Sequence, residues 1–241
     1  MNEFNVNTAI VLAGGLGTRL RSTVPDQPKP MAPINGRPFL EHQLDYWIAQ
    51  GIRRFIVSVC YRHEQIIDHF GNSYSGADLD YVIEQTPLGT GGGLLLAADR
   101  LCSEAPFLLL NGDTYFAVDL KTLAEFSLAN DADWCFSLFR TDEEGRYMGI
   151  DITAQGKIQS LNSGAGRPGR LANGGAYLVN PRALGGKYSR GDRVSLEDDI
   201  FPAAMASGQR LFAMEFAGTF IDIGVPDDYR RASALLAGHS K

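Results

Sequence analysis

Residues Thr8–Ala13 form a short apolar, β-branched run that gives way at once to Gly14-Gly15-Leu16-Gly17. A run without polar alternation predicts a strand buried on both faces, the habit of parallel sheets covered by helices. Three glycines in four positions then predict a turn that tolerates positive φ and brings backbone N–H groups close to a ligand. Such strand ends are where open α/β sheets bind ligands. Taken alone, the same glycines also suit a plain strand-to-helix turn.

The rest of the chain keeps this rhythm as far as Asp113. Phe39–Gln50 carries Leu40, Leu44, Trp47 and Ile48 at helical spacing and stops at Gly51. Arg54–Cys60 reads as a strand, Glu64–Phe70 as a short helix, Leu79–Glu84 as a strand, Gly92–Leu101 as a helix and Phe107–Leu110 as a fully apolar strand. Beyond Asp113, Leu120–Ala129 is a helix, while Trp134–Phe139, Gly149–Thr153 and Ala176–Val179 follow as strands. Their short spacers suggest an antiparallel or mixed extension. Ser195–Ala206 and Pro226–Leu236 close the chain as helices, the first with Ser195 as N-cap before three acidic residues. Asn162–Arg170, rich in Gly and Arg, reads as a mobile loop. The expected fold class is α/β: one domain over 1–241, built on a mixed, mostly parallel sheet flanked by helices.

Composition narrows the function classes. Lys and Arg number 22 against 28 Asp and Glu, giving a net charge of −6. No overall positive field draws the chain to nucleic acid or anionic lipid, so a phosphate-bearing ligand would be small and locally held. Apolar runs such as Phe107–Leu110 and Leu94–Ala98 fall far short of the roughly 20 residues that span a bilayer. The N-terminus lacks the basic stretch and apolar segment of a signal peptide. Cys60, Cys102 and Cys135 are odd in number and contain no C-x-x-C pair, which suits a reducing compartment, the cytoplasm, and small buried side chains rather than zinc.

The glycine loop is neither a G-x-x-x-x-G-K-[ST] phosphate loop nor a dinucleotide fingerprint, because Leu20 stands where the latter needs Gly or Ala. Arg19 lies within it and Pro28-Lys29-Pro30 follows, two cations suited to a triphosphate and to the charge that develops as it is split. Together, Gly14-Gly15-x-Gly17-Thr18-Arg19-Leu20 and Pro28-Lys29-Pro30-Met31 closely resemble the signature of sugar-1-phosphate nucleotidylyltransferases. The resemblance continues through Asn35-Gly36-Arg37-Pro38, Pro87-Leu88-Gly89-Thr90-Gly91-Gly92, Asn111-Gly112-Asp113, Asn173-Gly174-Gly175 and Ile221-Asp222-Ile223-Gly224-x-Pro226. It implies the Rossmann-like sheet of the nucleotide-diphospho-sugar transferase type, with the N-terminal half on the nucleotide and the C-terminal half on the sugar phosphate.

By the same resemblance, Arg19 and Lys29 are catalytic, and Leu12, Ala13, Gly14, Gly15, Gly17, Thr18, Gly89 and Thr90 cradle the nucleotide. Asp113 ends a strand and Asp222 sits between two isoleucines; read alone, each is either a satisfied structural carboxylate or a metal ligand. The family implies that the two hold Mg²⁺, a cation content with few carboxylates plus water and phosphate oxygens. Where uridylyl and thymidylyl relatives often look to carry Gln, this chain has Glu84, followed by Gln85. A carboxylate offers only acceptors and so suits the two adjacent donors of guanine, whereas a one-residue slip to Gln85 reverses that preference.

Gly112, Tyr147, Gly149, Asn173, Gly174 and Glu197 match family positions around the sugar, although Asn173 also suits a turn and Glu197 a helix N-terminus. Many relatives carry Glu-Lys-Pro before the asparagine motif, where this chain has Asn162-Ser163 and then a Gly/Arg stretch. Arg167 or Arg170 is therefore expected to supply the phosphate-binding cation, with Lys157 facing solvent. The Arg146-Tyr147 pair before Gly149 and the Pro-Leu-Gly-Thr-Gly-Gly string resemble the manno-heptose 1-phosphate guanylyltransferase branch. The expected substrates are thus GTP and a heptose 1-phosphate, with a homodimer as the candidate assembly. Alternatives are a mannose 1-phosphate guanylyltransferase, a uridylyl or thymidylyl relative, a non-catalytic nucleotide-sugar-binding subunit, and a glycosyltransferase using Asp78-Leu79-Asp80 as its D-x-D motif.

Overall fold

A computed structural model describes residues 6–20, 23–162 and 169–237. Its strands are β1 (Thr8–Ala13), β2 (Pro33–Ile34), β3 (Arg37–Pro38), β4 (Arg54–Val59), β5 (Ser73–Tyr74), β6 (Ala77–Ile83), β7 (Phe107–Asn111), β8 (Thr114–Phe116), β9 (Trp134–Thr141), β10 (Gly149–Ile152), β11 (Ile158–Asn162), β12 (Arg170–Val179), β13 (Leu211–Glu215) and β14 (Phe220–Asp222). The helices are α1 (Phe39–Ala49), α2 (His63–Phe70), α3 (Gly89–Ala98), α4 (Leu120–Ala129), α5 (Phe201–Ala206) and α6 (Pro226–Leu236).

One sheet runs β11-β10-β12-β7-β1-β4-β6-β5, with β9 added to β12 and β13 to β9. Strands β7, β1, β4 and β6 are mutually parallel, β12 joins them antiparallel, and β13 returns parallel to β9. The period of two along β1 explains its unbroken apolar sequence. Ala9, Val11 and Ala13 pack with Leu40, Leu44 and Trp47 of α1, Ile66 of α2 and Leu123 of α4. Ile10 faces the other way, toward Leu94 and Ala97 of α3 and Phe201 of α5. A third cluster joins Leu20, Tyr115, Ile221 and Ile223 to Ala232 and Leu236 of α6, supporting the β8–β14 ribbon.

Three sequence expectations are corrected. Helix α3 starts at Gly89, not Gly92, so Gly91, Gly92 and Gly93 lie inside it. Glycine is tolerated there because the segment Asp192–Ser195 presses on the helix: a Cβ on Gly92 would lie 2.4 Å from the Asp192 carbonyl oxygen, and one on Gly91 3.1 Å from that of Val194. Arg170 is not in a loop but opens β12, where it pairs with Asp151. The cysteines are not all buried: Cys135 is in the core, Cys60 is half-buried and Cys102 is exposed. The helix expected from Ser195 is present in two parts, a π-wound turn at Leu196–Ile200 and then α5, and Ser195 caps it by accepting the Glu197 and Asp198 N–H groups. Among the described residues no helix is long and apolar enough to cross a membrane.

Candidate active site

The C-terminal ends of β1 and β7 open onto a cavity of about 370 Å³. Leu12, Ala13, Gly14, Gly15 and Arg19 form one wall, with Leu16 exposed at its rim. Lys29 enters from a short 3₁₀ turn whose flanking prolines, Pro28 and Pro30, fix its backbone. Gly17 has φ +62°, and a Cβ there would lie 3.1 Å from Lys29 Cγ, so the loop and the lysine pack directly together. The Lys29 ammonium, only 11% exposed, donates to Asp113 Oδ2 at 2.8 Å.

Glu84 also lines the cavity, directly against Gly14, and is 6% exposed. Its Oε1 accepts from Ser58 Oγ and its Oε2 from the Leu88 N–H, both at 2.9 Å. A Cβ on Gly14 would come within 2.3 Å of Oε1, and one on Gly93 within 2.9 Å, so glycines on two elements make room for this carboxylate. Gln85 is exposed and outside the cavity wall. Gly89 and Thr90 do reach the wall, but the Thr90 hydroxyl is engaged: it accepts from Leu196 N and donates to Glu197 Oε2.

Asp113 and Asp222 both line the cavity. They flank the β8–β14 ribbon, in which Asp222 faces Thr114, and the Ile223 N–H donates to the Asp113 carbonyl at 3.0 Å. Burial, and then the charge of Asp113, push the Asp222 carboxyl above its ordinary pKa. Gly224 N–H, donating at 2.6 Å, and Arg146 oppose that shift. Arg146 is 16% exposed; it donates to the Asp222 carbonyl at 3.2 Å and pairs with Glu143 and with the buried Asp228. Its guanidinium also lies 4.8 Å from the centroid of the Tyr147 ring.

Tyr147, Gly112, Asn173 and Gly174 all line the cavity. Asn173-Gly174-Gly175 interrupts the β12–β9 register, and Gly175 has φ +72°. A Cβ on Gly174 would strike the Phe116 ring at 2.5 Å, which explains why the motif bulges rather than running straight. Asn173 is fixed by donating to Tyr177 Oη at 2.6 Å and accepting from Gly175 N–H.

Several expected residues are not brought to this cavity. Gly17 and Thr18 are not part of its lining, Gly149 is buried in β10, and Glu197 is tied to Thr90 and Ser195. Arg170 is held by Asp151, Lys157 is exposed as expected, and Arg167 lies outside the described residues. Asp80 of the D-x-D candidate pairs with Arg54 and Arg100 on β6, away from the cavity. Conversely, Asn111, Phe220 and Gly175 line the cavity, and Arg146 braces it, without having been picked out as site residues. Asn111 and Gly175 lie inside the family-like motifs Asn111-Gly112-Asp113 and Asn173-Gly174-Gly175, whereas Phe220 carries no local signal beyond lying two residues before Asp222.

A family model described as Nucleotidyl transferase matches residues 8–238. Over 228 residues the chain is 40% identical to D-glycero-alpha-D-manno-heptose 1-phosphate guanylyltransferase of Aneurinibacillus thermoaerophilus, covering 95% of this chain and 97% of that protein. The chain belongs to the nucleotidyl transferase family. This nucleotidyl transferase is also 37% identical to the protein of the same name from Campylobacter jejuni, over 92% and 96% of the two chains. The crystal structure of HddC from Yersinia pseudotuberculosis complexed with GMP-PN matches it with a TM-score of 0.82 and 35% identity, covering 95% of this chain and 99% of that one.

The carboxylates of this nucleotidyl transferase suit a hard divalent cation. Two aspartates converge at the cavity, where burial and then the charge of Asp113 raise the pKa of Asp222. Mg²⁺ asks for one or two carboxylates and takes its remaining ligands from water and phosphate.

Proposed function

We propose that the chain transfers a guanylyl group from GTP to D-glycero-α-D-manno-heptose 1-phosphate, releasing pyrophosphate and a nucleotide-sugar. The observation that carries the transfer is the convergence of the glycine loop, Arg19, Lys29, Asp113 and Asp222 on one cavity. Guanine is favoured because Glu84, not Gln85, lies in the cavity wall, and its carboxylate keeps lone pairs free beyond the two bonds it accepts. The names of the relatives favour the same base and the heptose.

The N-terminal half supplies the loop, Arg19, Lys29, Glu84 and Asp113, while Tyr147, Asn173, Phe220 and Asp222 come from the C-terminal half and face the sugar phosphate. A phosphate monoester is largely a dianion at neutral pH, so its oxygen attacks the α-phosphorus without a general base. Arg19 and the loop hold the departing phosphates. Lys29 exchanges Asp113 for a phosphate oxygen and neutralises charge as the bond to pyrophosphate breaks. When bound by Asp113 and Asp222, Mg²⁺ supplies further neutralisation at the α-phosphate.

Pyrophosphate release should be measured with Mg²⁺, the four nucleoside triphosphates, and heptose, mannose, glucose and N-acetylmuramate 1-phosphates. Release confined to GTP and the heptose is the expected result. Preference for UTP would overturn the base reading, preference for mannose the sugar reading, and silence with all sixteen pairs the transferase reading itself.

A further inference from the structure

Gln43 lies on the buried face of α1, beside Leu40, Leu44 and Trp47, and is 2% exposed. A primary amide on such a face is costly unless its polar atoms are used. Its Nε2 donates to two backbone carbonyls, Asn111 O at 2.9 Å and Thr114 O at 2.6 Å. Because both partners are acceptors, the orientation of the amide is fixed. Its Oε1 is buried with no hydrogen-bond partner among the described residues, so the side chain serves through its donors alone.

Those two carbonyls bracket Gly112-Asp113, the turn between β7 and β8. Lys29 holds the Asp113 carboxylate itself, and two backbone bonds tie the turn's main chain: Gly112 N–H to Leu12 O at 2.9 Å, and Ile223 N–H to Asp113 O at 3.0 Å. Gln43 therefore clamps, through its side chain, the backbone on both sides of Asp113, and it does so from outside the cavity wall.

We infer that Gln43 is a positioning residue for Asp113, and through it for the bound cation and the reacting phosphate. This rests on reading Asp113 as a cation-binding carboxylate. A residue that fixes a metal ligand from behind commonly changes affinity about 10–100-fold when removed. Gln43→Met keeps the volume and deletes both donors. Gln43→Glu keeps the shape and, protonated, restores one donor.

The test is Mn²⁺ affinity by calorimetry in the absence of substrates, alongside kcat and KM, for the wild type, these two variants, Asp113→Asn and Gln209→Leu. Gln209 makes a comparable pair of bonds, to Trp134 and Ala183, far from the Asp113 turn. The expected order of Mn²⁺ affinity is wild type, then Gln43→Glu, then Gln43→Met about 10-fold or more below wild type. The fall should appear in kcat more than in the GTP KM, and Gln209→Leu should lose melting temperature but keep wild-type affinity.

Wild-type Mn²⁺ affinity in folded Gln43→Met, with Asp113→Asn devoid of binding, would overturn the role of Gln43. Unchanged binding in Asp113→Asn would instead overturn the reading of Asp113 on which it rests. If neither Gln43 variant folds, the wild type decides: Mg²⁺ should shift the Gln43 side-chain amide resonances, and resonances that do not move would contradict the clamp.

Discussion

At the scale of single residues, the site rests on carboxylates doing different work in different surroundings. Glu84 is half satisfied by Ser58 and Leu88 and presents what remains to the cavity. Gln in its place would still accept from Leu88 but would present a donor to guanine's donors. Glu84→Gln should lower kcat/KM for GTP by about 10–100-fold, the worth of a charge-assisted hydrogen bond or two, and narrow the gap to UTP in a steady-state comparison. A lone drop in melting temperature with unchanged base preference would confine Glu84 to holding the turn. Asp222 differs, since burial and Asp113 raise its pKa. A carboxyl whose folded pKa lies above its unfolded value binds protons more readily when folded, so its ionisation costs stability as pH rises through that window. Asp222→Asn should therefore melt higher than wild type at pH 7, by about 2–4 °C per kcal/mol relieved, and lose that advantage on acidification, while transferase activity collapses. Calorimetry across pH 4–8 checks both the sign and the window.

At the scale of elements, glycine spacing was legible in the sequence but its purpose was not. The helix was expected to begin at Gly92, yet Gly91, Gly92 and Gly93 all lie in the first turns of α3, kept bare so that Asp192–Ser195 and Glu84 can approach. Gly92→Ala should thus destabilise the fold by about 1–3 kcal/mol despite alanine's better helix propensity, because its Cβ would fall 2.4 Å from the Asp192 carbonyl. Gly15→Ala, with nothing within 4 Å, should leave the denaturation midpoint unchanged. Equal midpoints for the two variants would remove close packing as the reason for glycine in α3. Strands β1, β4 and β7 and helices α4 and α6 were readable because long apolar patterns or clear caps define them. Strands β8 and β14 were not, because three residues carry too little periodicity, and their pairing depends on a cluster assembled from Leu20 to Leu236. Asn173 suited either a sugar contact or a turn, and it lies in a bulge within β12, a setting that only the β9 partner supplies.

At the scale of the molecule, the sheet brings the ends of β1 and β7 beside the bulge of β12 and the β8–β14 ribbon, so residues from 12 to 222 share one cavity. The motifs Gly14–Arg19, Lys29, Asp113 and Asp222 were legible because each carries its own chemical signature. Arg146 and Gln43 were not, since a buried arginine bracing carboxylates and a buried glutamine clamping a turn are defined by partners distant in sequence. Arg170 shows the converse: a cation at a plausible sequence position is taken up by Asp151 across the neighbouring strand. In the proposed reaction a sugar-phosphate oxygen attacks the α-phosphorus of the nucleotide. Heptose 1-phosphate labelled with ¹⁸O in its phosphoryl group, turned over with unlabelled GTP and analysed by mass spectrometry, tests it most directly. All label in the nucleotide-sugar and none in pyrophosphate is the predicted result; label in pyrophosphate or free phosphate, or no nucleotide-sugar formed, would contradict it.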